Sequence, residues 1–222
     1  MKMKKRIKRI CEYICIPVLL AMMGFLVIYI ALRPVLNMAS NMGSVILSES
    51  APKFQTSLDS IYDENSNPKT EGTIMHGEIE FPTYETCYAR LQCERLDMDV
   101  AVFWGDSDQV FREGVGQYIG SFIPGYGGVV LLGGHDSMYF EPLEDVRIGD
   151  EFVIRTNYGI YTYQVTETKI ASNDDNEVYG NLTGQEQLVM YTCYPFGALI
   201  GIKEERFYVF ADRVEGPDII KK

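Results

Sequence analysis

Met190-Tyr191-Thr192-Cys193-Tyr194-Pro195-Phe196-Gly197 is the stretch on which the reading of this chain turns. It closes an apolar run, Leu188 to Tyr191, that has the length and composition of a buried strand, and Pro195 and Gly197 then break it. A cysteine on the last residues of a strand is held rigidly while its sulfur faces the loop beyond, which suits a nucleophile. The alternative is a buried structural cysteine, since free cysteine is among the most buried residue types. Two further stretches bear on the choice. Val129-Val130-Leu131-Leu132-Gly133-Gly134-His135-Asp136 is a second apolar run whose end delivers a histidine, and Arg206 opens a third, Phe207 to Ala211. A thiol, an imidazole and a guanidinium at three strand ends can perform acyl transfer: the thiol attacks a carbonyl, the imidazole handles protons and the guanidinium faces the oxyanion.

Outward from these three runs, the chain from Ile79 onward reads as short strands separated by Gly, Pro, Asn and Asp. The expected strands are 86–94, 99–104, 116–120, 128–133, 151–156, 160–169, 187–192 and 206–214. Tyr158-Gly159 is placed at a hairpin turn, and Asp108 to Glu113 and Phe140 to Val146 at short helical turns. About eight short strands point to a mainly β, closed, barrel-like fold.

Gly-Gly-His-Asp at 133–136, Thr-Cys-Tyr-Pro-Phe at 192–196 and Arg206 at its spacing resemble the sortases, cysteine transpeptidases of Gram-positive cell surfaces. The resemblance runs from about Ile79 to Val214. It takes in Trp104-Gly105-Asp106-Ser107-Asp108, Gly114-Val115-Gly116, Pro124-Gly125 and Ile148-Gly149-Asp150, and the Thr-Cys-Tyr-Pro-Phe form is most like class D. The resemblance implies a closed eight-stranded β-barrel with short helices. It also implies a thioacyl intermediate on Cys193, with His135 as general acid and base, Arg206 at the oxyanion and Thr192 in substrate binding. The implied substrates are a Leu-Pro-x-Thr-Gly/Ala-like sorting signal, cut after Thr, and a cell-wall amine. Pilus-building sortases often carry an Asp-Pro-aromatic lid and a second, C-terminal membrane helix. No Asp-Pro occurs here, and Val214 is followed only by Glu-Gly-Pro-Asp-Ile-Ile-Lys-Lys. The expectation is therefore a single-pass anchoring enzyme, with a pilin polymerase as the alternative.

Charge is unevenly spread. The net charge is −11, but residues 1–33 carry +6, which leaves −17 for the rest. An acidic body of that kind excludes nucleic acid as a natural partner. Lys2, Lys4, Lys5, Arg6, Lys8 and Arg9 precede twenty uncharged residues, Tyr13 to Leu32, enough to cross a bilayer as one helix. The positive-inside tendency puts the N-terminus in the cytoplasm and everything after Arg33 outside. A cleaved signal peptide is the rival; its apolar core is normally shorter, and no small-x-small cleavage site stands out. The expected organisation is thus a basic head and membrane anchor at 1–33, a polar stalk at 34–78 and a catalytic barrel at 79–222. His76 falls at the end of the stalk and reads as a solvated side chain.

Other readings of the polar residues are weaker. Cys11 and Cys15 fit helix packing near the membrane. Cys87 and Cys93 would lie about 20 Å apart on a straight strand, too far to bridge. Arg213 rivals Arg206. On an extended strand Arg206, Tyr208 and Phe210 share one face, while Phe207, Val209 and Arg213 share the other. Asp136-Ser137 follows His135 too closely to build a serine triad with it, and no spaced metal-ligand set appears, so no cofactor is expected. The acidic loop Asn173-Asp174-Asp175-Asn176-Glu177 could attract calcium but lacks EF-hand spacing. Asn181-Leu182-Thr183 matches a glycosylation sequon, which says little for a bacterial surface protein. A non-catalytic β-domain with Cys193 buried is a further reading. An L,D-transpeptidase is another, but its Ser-His-Gly-Cys signature is missing.

Overall fold

The computed structural model describes residues 22–25, 58–175, 185–197 and 203–221. The chain divides into Met1–Gln55 and Thr56–Lys222. In the first unit residues 22–25 are helical, and among the described residues no helix is long and apolar enough to cross a membrane. Most of the expected anchor at Tyr13–Leu32, the basic head, Cys11, Cys15, the sequon at 181–183 and the first part of the expected stalk lie outside the described residues.

The second unit is mainly β. Eight strands close a barrel: β2 (Thr86–Cys93), β3 (Met98–Trp104), β4 (Val115–Gln117), β5 (Val129–Gly133), β6 (Glu151–Thr156), β7 (Ile160–Ser172), β8 (Gln187–Tyr194) and β9 (Glu205–Glu215). Their order around it is β2-β3-β4-β5-β8-β9-β7-β6. The expected closed eight-stranded barrel is therefore present, with each strand within a few residues of its expected bounds. A short helix, α1 (Asp108–Glu113), makes the crossover between the parallel strands β3 and β4. Ser107 caps it, its hydroxyl accepting from the Val110 N–H. The expected turn near 140–146 is a 3-10 helix, Glu141–Asp145.

Side-chain alternation fills the barrel. Leu188, Met190 and Val209 point inward with Val130, Leu132, Phe152, Ile154 and Tyr163, all essentially without exposure. The runs Val129–Leu132 and Leu188–Met190 are apolar at every position, not at alternate ones, because these strands are covered on both faces. Val129, Leu131, Val189 and Tyr208, with Ala171 from β7, form a second buried cluster on the outer face of β5, β8, β9 and β7.

The folded unit begins well before residue 79, which corrects the expected boundary of the stalk. Leu58 and Tyr62 pack on the outer cluster of Cys87, Ala101, Phe103 and Val110. Ser60 bridges to Cys87 and Lys69 to Gly159. Two strands absent from the sequence reading, β1 (Thr73–Met75) and β10 (Asp218–Ile220), pair in parallel as a separate small sheet. His76 is exposed, yet it is not merely solvated: its Nδ1 meets the Tyr126 hydroxyl, and its ring packs against Phe81 and Tyr126.

Candidate active site

The barrel's register brings the three candidate residues into one row. β5 and β8 run parallel, with Leu131 opposite Val189, Leu132 opposite Met190 and Gly133 opposite Tyr191. Each strand then advances two residues, to His135 on one and Cys193 on the other. The pairing persists beyond the strand, since the Gly134 N–H donates to the Tyr191 carbonyl at 3.3 Å. β8 and β9 are antiparallel, and Cys193 lies directly opposite Arg206, which in turn lies opposite Ala171 of β7. Cβ atoms of directly opposed residues are about 5 Å apart. The order across adjoining strands is thus His135, Cys193, Arg206.

The alternation also decides which face carries them. Val189 and Tyr191 point out of the barrel, so Cys193 does too; Tyr208 and Phe210 point out, and Arg206 follows. On the same outer face Tyr191 and Tyr208 are the next neighbours of Cys193 and Arg206, and Leu131 and Val189 lie two residues further along their strands. His135, Cys193 and Arg206 are each part-exposed, as groups that meet a substrate must be. The Phe111 ring of α1 stands edge-on to the His135 ring, 5.6 Å between centroids.

The paired glycines before His135 have a steric cause. A Cβ on Gly133 would stand 2.7 Å from the Tyr191 ring, which lies across it on the outer face. A Cβ on Gly134 would stand 2.8 Å from the Phe140 ring and 3.2 Å from Val115, on the inner side. Phe140 and Val115 are wholly buried and cannot give way. Only a bare backbone lets the histidine loop leave β5 here.

Thr192 does not have the placement expected of a substrate-binding side chain. It lies one position from Cys193, so its side chain turns inward, 1 % exposed, and its hydroxyl donates to the Gly134 carbonyl at 2.8 Å. It ties the cysteine strand to the histidine loop. Beyond Cys193 the chain turns back over the barrel end, where the Phe196 ring packs 5.4 Å from Phe207.

The two arginines lie at opposite ends of β9. Arg213 faces the buried carboxylate of Glu186 at 3.4 Å and also meets Asp218 of β10. Glu186 additionally accepts from the Gly125 and Gly127 N–H groups, each at 2.9 Å, and from the Tyr163 hydroxyl at 2.6 Å. Arg213 therefore serves a buried charge network and is remote in register from Cys193. Arg206 donates to the carbonyls of Lys203 and Glu205, at 2.8 and 3.0 Å.

Asp136, set aside above as a triad partner, forms an ion pair with Lys203, which the sequence did not single out. Asp136 is buried, and its carboxylate takes the Lys203 ammonium at 2.5 Å. These residues stand 67 positions apart, so no local signal joins them. The other described thiols, Cys87 and Cys93, are free and buried, and burial pushes both thiol pKa values up. That favours the neutral, unreactive thiol. Among the described residues no three His, Cys, Asp or Glu side chains gather as a metal would require. Of the acidic loop, Asp175 pairs with Lys169 at 3.5 Å, and Asn176 and Glu177 lie outside the described residues.

Comparison with known proteins bears on the family and the fold. The family model described as the sortase domain matches residues 91–214, more than half of the chain. Sortase D of Bacillus subtilis (strain 168) is 28% identical over 124 residues, 56% of this chain. The chain spans 62% of that relative, less than two thirds. Among solved structures, sortase C from Clostridium perfringens SM101 superposes with a TM-score of 0.54 at 21% identity, over 60% of this chain and 72% of that one. Sortase A from Corynebacterium diphtheriae gives 0.53 at 23% identity, over 58% and 60%. At these identities the structural likeness speaks for the fold alone, while the family model and the Bacillus relative carry the assignment. The chain belongs to the sortase family, and within it is class D-like.

Proposed function

We propose that this chain is a cysteine transpeptidase that cleaves a Leu-Pro-x-Thr-Gly/Ala-like sorting signal after Thr and transfers the acyl group to a cell-wall amine. The observation that carries the reading is the row of His135, Cys193 and Arg206 across three adjoining strands, on one face. In the proposed reaction the Cys193 thiolate attacks the threonine carbonyl carbon. The oxygen takes up negative charge beside the Arg206 guanidinium. Collapse of the intermediate breaks the peptide bond, and the His135 imidazolium gives its proton to the leaving amine. An incoming amine then attacks the thioester and loses a proton to His135, and Cys193 departs as the thiolate.

Tyr191 and Tyr208, next to the row on the same face, support recognition of an uncharged peptide, because Leu and Pro side chains gain from contact with apolar surface. Anchoring is part of the same proposal. The basic cluster at 2–9 and the uncharged run at 13–32 support a single-pass anchor that holds the barrel outside the membrane.

The test is turnover of synthetic peptides spanning the Leu-Pro-x-Thr-x family, with and without an amine acceptor. The proposal expects cleavage between Thr and the next residue, an amide product that depends on the amine, and loss of both in Cys193→Ala. Cleavage that persists in Cys193→Ala would exclude it. The rival reading, a non-catalytic β-domain, requires a Cys193 thiol inert to alkylation in the folded protein.

A further inference from the structure

One residue joins the segments that carry both partners of the candidate nucleophile. The Lys203 ammonium holds the carboxylate of Asp136, the residue after His135, at 2.5 Å. The backbone carbonyl of the same lysine accepts from Arg206 Nη1 at 2.8 Å. Both side chains of the ion pair are largely withdrawn from water, 16% exposed for Lys203 and 9% for Asp136. A pair at such a place is screened little by salt, and removing one member leaves the other as an uncompensated buried charge.

From this geometry we infer that Lys203 is a positioning residue. It clamps the start of β9 to the histidine loop, and so fixes the guanidinium of Arg206 and the imidazole of His135 on either side of Cys193. The inference rests on the transpeptidase reading for its effect on rate, but not for the clamp itself. Three links converge. Thr192 ties the cysteine strand to the histidine loop through Gly134; Asp136 and Lys203 tie the histidine loop to the arginine; and strand pairing ties the arginine to the cysteine. The circuit is closed, and Lys203 supplies the one link that is an ion pair.

A clamp of this kind acts on geometry in the transition state more than on substrate binding. Misplacing a catalytic group by about 1 Å costs up to about a hundredfold in rate. Lys203→Gln should therefore lower kcat by about tenfold to a hundredfold with KM nearly unchanged. The rate of Cys193 alkylation by a small reagent should stay close to that of the unaltered protein. Lys203→Arg, which keeps the charge, should recover most of the rate. Asp136→Asn should mimic Lys203→Gln, and the double variant should be no slower than either single one, because both remove the same link.

The experiment is that double-mutant cycle on the full chain, read by peptide turnover and by hydrogen–deuterium exchange over residues 133–138 and 203–206. The exchange readout needs no substrate. Exchange that accelerates in both segments in each single variant, with non-additive loss of kcat, supports the clamp. Lys203→Gln with unaltered kcat and exchange, or single effects that multiply, would overturn it while leaving the transpeptidase reading intact. Coupled exchange in a chain that turns over no sorting-signal peptide would uphold the clamp and refute that reading instead. If Lys203→Gln lowers the melting temperature of the whole barrel, the double variant decides, since it leaves neither charge unpaired.

Discussion

Thr192→Val isolates the hydrogen bond that joins the cysteine strand to the histidine loop. Valine has nearly the shape of threonine, so the change creates no cavity in the barrel and removes only the hydroxyl. That hydroxyl is buried and bonded at 2.8 Å to the Gly134 carbonyl. The loss comprises one net hydrogen bond and the desolvation of a carbonyl left behind, about 1–3 kcal/mol. In a folded unit of this size each kcal/mol lowers Tm by about 2–4 °C, so the expected fall is roughly 2–12 °C by thermal melting. Turnover should fall as well, through kcat, because His135 is freed to drift from Cys193. Thr192→Ser keeps the hydroxyl and should restore much of the turnover. If Thr192 bound substrate instead, Thr192→Val would raise KM and leave Tm unchanged. An unaltered Tm together with an unaltered kcat would refute the reasoning outright.

Three further outcomes follow from the same structure. Arg206→Lys keeps the charge but loses the planar fork of donors. Peptide turnover should fall about tenfold to a thousandfold with alkylation of Cys193 nearly normal, whereas Arg213→Lys should lower Tm, through Glu186 and Asp218, and spare the turnover of the folded molecules. The Arg95 guanidinium, helped by the Arg147 N–H, holds the Asp150 carboxyl below its ordinary value against the opposing effect of burial. Its stabilisation is therefore complete above that ordinary value, 3.8, and is lost as pH falls through the lower folded value. The Tm gap between the natural protein and Asp150→Asn should be full at neutral pH and shrink below pH 3.8, and a gap that widens in acid would contradict this. Finally, a chain starting at residue 79 should expose Cys87 to thiol reagents where a chain starting at 56 does not, because Leu58 and Tyr62 pack over its cluster.

The barrel was legible because its strands are dense in apolar and β-branched residues and are punctuated by Gly, Pro and Asn. The runs at 129–132 and 188–190, apolar at every position, read as buried strands. β1 and β10 were not legible. Three residues each, Thr-Ile-Met and Asp-Ile-Ile, are too few to show a period, and their partners lie far away in sequence. Residues 58–72 read as linker because polar residues dominate their composition, yet Leu58, Ile61 and Tyr62 are enough to seat them on the barrel. Within the site, parity along β9 placed Arg206 with Tyr208 and Phe210 and left Arg213 on the other face. The same parity along β8 turns Thr192 inward once Cys193 is taken as outward. The Asp136–Lys203 pair and the Glu186 network had no such handle, being made entirely by long-range contacts.

The central claim is that Cys193 carries the acyl group, and locating a trapped adduct tests it most directly. The full chain would be incubated with a Leu-Pro-x-Thr-x peptide without an amine acceptor, quenched in acid, digested and sequenced by tandem mass spectrometry. The expected product is a thioester on Cys193 bearing the peptide up to its threonine, absent from Cys193→Ala and depleted in His135→Ala and Arg206→Ala. An adduct carried by Cys87 or Cys93, or one that survives in Cys193→Ala, would contradict the claim.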